Sequence, residues 1–467
     1  MLAQPARRRL MLSLAALSLP CAARQPVVND ASRMNPVAVG RILAPRRLDQ
    51  IVAALRAQPG PVSIGGARYS MGGQIAAERS LHLDMRGFNE VIRFVPAARR
   101  ITVQPGITWR RIQAIIDPHD LALRVMQSYA DFTVGGSLGV NAHGRYVGQG
   151  PLVGSVESIR LVLADGTLVA ASPAANSELF YGAIGGYGAL GVIVEATLRL
   201  APNERLERRS RVMPLADYRR FFMAQVAADP GAVMHSATLY PDDYTLVRAV
   251  THVRSTRAVT QPARLVATGG DYRIERRMQE LFAGSRWGKE VRRRLLDPLF
   301  YAQDTVEWRN YQAGLDIRSL ASSAADGSVY TLQEYFVPVA ALERFAGQLR
   351  AILRRHAVNV INVSIRHAHR DPGTLLAWAR TDVFAFVLYY RQQTAAPDRD
   401  AVRAWTGELI DAALACKGRF YLPYQVHATA RQFHAAYPDA ERFFALKRRV
   451  DPANRFRSKL WDAYYAP

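Results

Sequence analysis

Gly65-Gly66-Ala67-Arg68-Tyr69-Ser70-Met71-Gly72-Gly73-Gln74 is the stretch that decides how this chain is read. It follows Pro61-Val62-Ser63-Ile64, a short apolar run with the make-up of a strand. Four glycines in ten residues let the backbone approach a ligand closely and turn its N–H groups toward an anion. A tight strand-to-strand turn uses the same residues, so the flanking chain has to choose between the two.

Upstream, Leu48, Ile51, Val52 and Leu55 follow helical spacing until Pro59-Gly60. Downstream, short strands are expected over 81–84, 91–95 and 101–104, then a helix marked by Trp109, Ile112 and Ile116. The second glycine-rich stretch runs from Thr133-Val134-Gly135-Gly136-Ser137-Leu138-Gly139 to Val140-Asn141-Ala142-His143-Gly144-Arg145. Its glycine density argues against a helix interior, and its Thr, Ser, Asn, His and Arg side chains can hydrogen-bond phosphate or ring edges. A hairpin about Asp165-Gly166 follows, and Asn176-Ser177-Glu178 offers helix-capping chemistry. The third stretch, Gly185-Gly186-Tyr187-Gly188-Ala189-Leu190-Gly191, opens into a strand over 192–200. Three such loops, each attached to a strand, point to one extended ligand, with a dinucleotide pyrophosphate the natural guest.

A chain of 467 residues exceeds what one hydrophobic core usually serves, so two domains are expected. The formal charge of +22 is carried almost wholly by arginine, the lysines being Lys289, Lys417, Lys447 and Lys459. The charge is spread along the chain with no RNA- or DNA-binding motif, which argues against a nucleic-acid partner. Arg7-Arg8-Arg9, the apolar run 10–19 and Cys21-Ala22-Ala23 read as an export signal over 1–27, twin-arginine or ordinary secretory, with lipoprotein processing at Cys21 a third route. The run is too short for a good membrane span. Its removal leaves Cys416 alone, so neither a disulfide nor a thiolate metal site is expected. No metal site is expected from His, Cys and Asp spacing, and neither a Gly-x-Ser-x-Gly elbow nor a Walker loop is present.

In their order and spacing the three loops resemble the FAD-binding domain of the vanillyl-alcohol oxidase and p-cresol methylhydroxylase (PCMH) superfamily, which includes sugar-lactone oxidases, alditol oxidase and cytokinin dehydrogenase. The resemblance implies an α+β protein: a PCMH-type FAD-binding domain of two subdomains over 36–203, an α+β substrate or cap domain with an antiparallel sheet over 204–415, and a tail over 416–467 that returns to the FAD domain. It implies that Gly65, Gly66, Ala67, Arg68, Tyr69, Ser70, Gly72 and Gln74, with Val134, Gly135, Gly136, Ser137, Gly139, Asn141, His143 and Gly144, hold the pyrophosphate and face the isoalloxazine. Gly188, Gly191, Val192 and Val194 would lie along the adenosine half. Many members attach the flavin through a histidine just before the serine of the first loop. Here that residue is Tyr69, which has no imidazole, so non-covalent FAD is expected. Relatives often carry asparagine where this chain has Ser458.

Oxidation of an alcohol by a flavin needs a C–H held at the ring, a base near the hydroxyl, and positive charge near the reduced ring. Gln333-Glu334-Tyr335-Phe336-Val337-Pro338 resembles a Glu-Tyr-Ala-Ile-Pro stretch of sugar-lactone oxidases. Strand alternation allows only one of the pairs Gln333/Tyr335 and Glu334/Phe336 to face a pocket, and the match favours Glu334. Ser364-Ile365-Arg366 resembles the alditol oxidase pattern in which an arginine faces the flavin, although relatives carry an acidic residue at the position of Ser364. His367 lies on the opposite strand face from Arg366. One of Tyr389 and Tyr390 should reach the pocket, and Tyr389 is taken forward. His427 falls where alditol oxidase relatives have a lysine near the flavin, and a neutral imidazole can take a hydroxyl proton. It is therefore the first choice of base.

The expected function is FAD-dependent oxidation of a CH–OH group in a polyol, sugar or sugar lactone, with dioxygen or another acceptor taking the electrons, in an exported, periplasmic setting implied by the leader. The alternatives are a dehydrogenase of a lipid-linked sugar or an amine on the same fold, and a non-catalytic basic binding protein.

Overall fold

A computed structural model describes residues 25–241, 243–274, 277, 282, 285–316 and 327–465. The leader residues 1–24 lie outside them.

The helix Leu48–Ala57 buries Ile51, Ala54 and Leu55, the stripe its spacing predicts. It delivers the chain to the strand Val62–Gly65, which pairs in parallel with Leu81–Asp84; that strand pairs in turn with Arg41–Leu43. Beside this small sheet stands a six-stranded antiparallel one built around the strand Val192–Pro202. That strand is flanked by Val156–Val162 on one side and by Arg100–Val103 and, further along, Leu121–Leu123 on the other. Along it, Val192, Val194, Ala196, Leu198 and Leu200 are buried at every second position, the period of a pleated strand with one face in a core.

After Pro202 the chain leaves this sheet. Arg205–Pro214 begins an eight-stranded antiparallel sheet whose centre is Val360–Ala368, Val383–Gln393 and Ser328–Pro338. The helices Leu342–Arg355 and Ala396–Ala415 cover one face. There Phe345 meets Tyr335 and Phe386, and Trp405 meets Tyr390. The opposite face looks toward the glycine loops. The architecture is thus mixed, helices packed on antiparallel sheets with one small parallel sheet.

The tail serves both halves. Arg419–Phe420 pairs with the strand Ser328–Pro338, whereas the Val62 N–H donates to Arg455 O at 2.7 Å and the Arg457 N–H to Val62 O at 2.9 Å. Between them, the helix Ala440–Val450 presents Lys447, fully buried, whose Nζ donates to Asp451 Oδ2 at 2.8 Å, Ala189 O at 3.1 Å and Phe456 O at 3.0 Å. One ammonium thereby joins the third glycine loop to the returning tail.

Two local expectations are corrected. Val134–Gly139 is a short helix despite its glycines, because Val134 and Leu138 are fully buried in the core and packing outweighs propensity. Asn176 does not cap its helix; it sits at φ 50° and donates from Nδ2 to Ala170 O at 2.8 Å.

Candidate functional site

Two adjoining cavities share Gly66, Ser70, Ile75, Thr133, Gly136 and Val140 in their walls. They make one elongated channel between the glycine loops and the large sheet. Its narrower end is lined by Pro105, Tyr187, Gly188, Gly191 and Ile193. Its wider end is closed by Leu332, Glu334, Arg366 and Val387 from the sheet, with Tyr421, Pro423 and Tyr424 from the tail.

Close approach of the first two loops sets the channel's waist. A Cβ on Gly66 would stand 2.3 Å from Thr133 Oγ1, so only glycine lets the loop lie there. Thr133 also accepts from the Gly136 N–H at 3.3 Å, capping the short helix. The far side of the first loop is tied to the tail: Gln74 Nε2 donates to Leu422 O at 2.6 Å and Tyr424 O at 2.7 Å. The Met71 N–H donates to Pro423 O at 2.8 Å.

Glu334 is the centre of the polar end. It is buried, with Oε1 2.6 Å from His143 Nε2 and Oε2 accepting from the Tyr424 hydroxyl at 3.2 Å. Three separate parts of the chain thus meet on one carboxylate. Burial, then the Glu334 charge, pushes the Tyr424 phenol well above its ordinary range. Arg366 faces the same end, its Nε buried without a hydrogen-bond partner. Burial, followed by repulsion from Arg366, lowers the pKa of half-buried Arg145, and burial pushes Tyr129 up to about 12.

Of the residues named from sequence, Gly66, Ala67, Arg68, Tyr69, Ser70, Gln74, Gly135, Gly136, Ser137, Gly139, His143, Gly188, Gly191, Glu334 and Arg366 line the channel. Tyr69 packs edge-on against Phe132 at 4.8 Å, and burial raises its phenol. Other named residues stand behind the wall. Gly65 packs on His82, and Gly144 approaches Met126 O. Val134 is core. Val192 and Val194 belong to the small sheet's core, and alternation sends Ile193 into the channel in their place. Asn141 is a fully buried strut: its Nδ2 donates to Asp371 Oδ2 at 2.7 Å, and its Oδ1 accepts from the Val153 N–H at 3.1 Å.

The two remaining catalytic candidates are displaced. Tyr389 shares the strand face of Val387 but lies one step further along, stacked on Tyr330 at 5.7 Å outside the channel wall; Tyr390 points to the opposite face, against Trp405. His427 lies in a separate polar cleft with Arg399, Arg403 and Lys459, on the reverse side of Gly72. Burial, helped by Arg403, drops its pKa to about 4, so it is neutral, and it lines that cleft and not the channel.

Sequence reasoning passed over Gln127, Tyr129, Phe132, Tyr187 and Tyr424 as site residues. The Tyr-Leu-Pro-Tyr run at 421–424 carried a usable signal, since aromatics about a proline outside any periodic segment mark a fixed loop.

Residues 40–172 match the family model described as FAD binding domain. The chain carries an FAD binding domain. Over part of its length it is similar to L-gulonolactone oxidase of Mus musculus, 30% identical over 37% of this chain and 38% of the relative. It is also similar to alditol oxidase of a Streptomyces species, 37% identical over 22% of this chain and 25% of the relative. Decaprenylphosphoryl-beta-D-ribose oxidase of Mycolicibacterium smegmatis is 30% identical over 27% of each chain. The chain therefore spans well under half the length of these relatives. The FAD binding domain contributes the loops at Gly66 and Gly136, and the channel suits its cofactor on two structural grounds. A Cβ built on Gly139 meets no protein atom within 4 Å, so that part of the wall is bare backbone beside open space. Arg68 and Arg366 each bury an unpartnered guanidinium Nε at the wider end, a donor set matched to an electron-rich guest. No helix among the described residues is long and apolar enough to cross a membrane.

Proposed function

We propose that this protein is an FAD-dependent oxidoreductase that oxidises a CH–OH group of a polyol, sugar or sugar lactone at the wider end of the channel. The observation that carries the reading is the buried Glu334 carboxylate, held by His143 and Tyr424 in the same chamber as Arg366. FAD, when bound, supplies the acceptor for the hydride of the alcohol carbon. Gly66, Ser70, Gly136, Gly188 and Gly191 would hold the dinucleotide along the channel. Glu334 and His143, hydrogen-bonded at 2.6 Å, act as one pair placed to accept the alcohol proton. Tyr424, kept protonated by burial beside a carboxylate, donates to Glu334 and holds it in place. Arg366 binds the oxygen of the reacting carbon and supplies fixed positive charge to the reduced state. Leu332, Val387 and Phe132 give the chamber apolar walls, which strengthen these charge interactions by limiting water.

The cofactor is held non-covalently, with Tyr69 packed on Phe132 where an attaching histidine would stand. Acid precipitation should leave yellow colour in the supernatant; colour fixed in the pellet would refute this. Export to the periplasm accompanies the proposal and rests on the arginine run and apolar stretch of the first residues.

Anaerobic mixing with polyols, aldonolactones and sugars tests the substrate class. Bleaching of the flavin by at least one class is expected, and bleaching by amines alone would overturn the reading. A dehydrogenase of a lipid-linked sugar is the second reading, favoured by the likeness to decaprenylphosphoryl-beta-D-ribose oxidase. Peroxide produced in air identifies an oxidase; its absence, with turnover on an artificial acceptor, identifies a dehydrogenase.

A further inference from the structure

The hairpin formed by strands Val360–Ala368 and Val383–Gln393 closes on three side chains that sequence separation hides. One nitrogen each of His367 and His369 and a carboxylate oxygen of Asp382 lie within 4.8 Å of one another. His367 and His369, two residues apart, project to the same side, and the strand register Ala368 to Val383 brings Asp382 beside them. His369 Nδ1 is 2.8 Å from Asp382 Oδ2, while Asp382 Oδ1 is fixed by the Arg370 N–H at 2.9 Å. His367 is walled by Phe222 and Phe384. It is 9% exposed, and its Nδ1 is buried without a hydrogen-bond partner. A buried polar nitrogen left unpaired is costly, and native structures rarely keep one without a use.

The geometry points to a binding site for a divalent first-row transition ion, Zn²⁺ being the natural probe, held by His367, His369 and Asp382 at the open end of this hairpin. Two imidazoles and one carboxylate form a set suited to such ions, with bonds near 2.0–2.2 Å and at least one position left for water. Ligands on one ion then stand about 3–4 Å apart, so small side-chain rotations close the set. The ion would replace the His369–Asp382 hydrogen bond. The connection between the two strands also packs behind the wall of the flavin chamber. In that connection Asp371 and Thr374 hold Asn141, and Trp378 donates to Asn141 O at 2.9 Å while packing 5.0 Å from the His143 ring.

Untagged FAD-loaded protein, stripped of metal with chelator and titrated with Zn²⁺ by calorimetry, is expected to show a single tight site. His369→Ala and Asp382→Asn, at exposed positions, should each weaken that site about 10-fold or more without changing the melting temperature of the metal-free protein. His367→Asn should do the same, with its metal-free melt confirming the fold. Co²⁺ should give a visible ligand-field spectrum in the wild type that is lost in all three variants. An isotherm absent in the wild type, or unchanged by any one of the three substitutions, would overturn the assignment.

Discussion

Glu334 owes its place to the two-residue period of a strand. Tyr335 points to the helix side, against Phe345, and Glu334 and Phe336 to the channel side, where Phe336 meets His143. Choosing one pair therefore settles both, and Glu334 is the member that lines the chamber. Glu334→Gln keeps the size and burial but removes the carboxylate proposed to accept the proton. It is expected to slow anaerobic flavin reduction by roughly 10²–10⁴-fold while leaving FAD bound; stopped-flow absorbance at saturating substrate reads both. A rate within a factor of about two of wild type would remove Glu334 from the chemistry. His427 had no comparable rule to place it. The tail turns after Pro423, the His427 N–H donates to Gln425 O at 2.9 Å, and Gln425 is drawn to Gln392 at 3.0 Å, contacts that no periodicity announces. His427→Ala is accordingly expected to leave the reduction rate unchanged. A large fall in that rate would put His427 back in the mechanism.

The helix Val134–Gly139 shows why the second glycine stretch was legible as a ligand site but not as a helix. Its capping threonine and buried Val134 and Leu138 follow ordinary helix rules, but three of its six residues are glycine. Those glycines serve the channel side, and only the three-dimensional partner explains their cost. Gly139→Ala separates the two demands. The added methyl meets no protein atom, so the apoprotein should gain up to ~1 kcal/mol from helix propensity, while FAD affinity falls because the methyl enters the channel. Urea unfolding of the apoprotein and flavin-quenching titration test the two halves independently. Gly66→Ala, whose methyl would collide with Thr133, should instead lower both. The strand over 192–200 was readable for the opposite reason, since its alternation is local and tertiary contacts only reinforce it.

Among the described residues, Lys447 and Asp451 form an ion pair with both side chains fully buried. Lys447 has its pKa lowered, chiefly by burial, yet keeps Asp451 and two carbonyls as partners. Lys447→Met leaves Asp451 buried without its counter-ion and should cost about 3–5 kcal/mol. A denaturation midpoint close to wild type would refute the pin. The molecule also buries neutral imidazoles: burial lowers His82 and His427 to about 4 and His235 and His252 to about 3. In the unfolded chain these rings take protons near pH 6.5. The unfolded state thus binds more protons below that pH, and stability is lost as pH falls from about 6.5 toward 4. Urea midpoints measured from pH 7.5 to 4.5 should decline steadily; a flat profile would contradict the burial. Composition foretold a basic molecule. It was silent on which histidines would be sealed inside, because that depends on sheets whose strands pair across long stretches of sequence.

The pairing of Val62 with Arg455 and Arg457 bears on the order in which the protein can be made. The strand that feeds the first glycine loop is bordered by backbone that leaves the ribosome only after the entire large sheet. During synthesis the nucleotide cradle waits open-edged, and a dinucleotide arriving early would meet an unfinished wall. Cofactor capture should therefore be among the last events of maturation, and a nascent chain stalled before Arg455 should emerge colourless even in excess FAD.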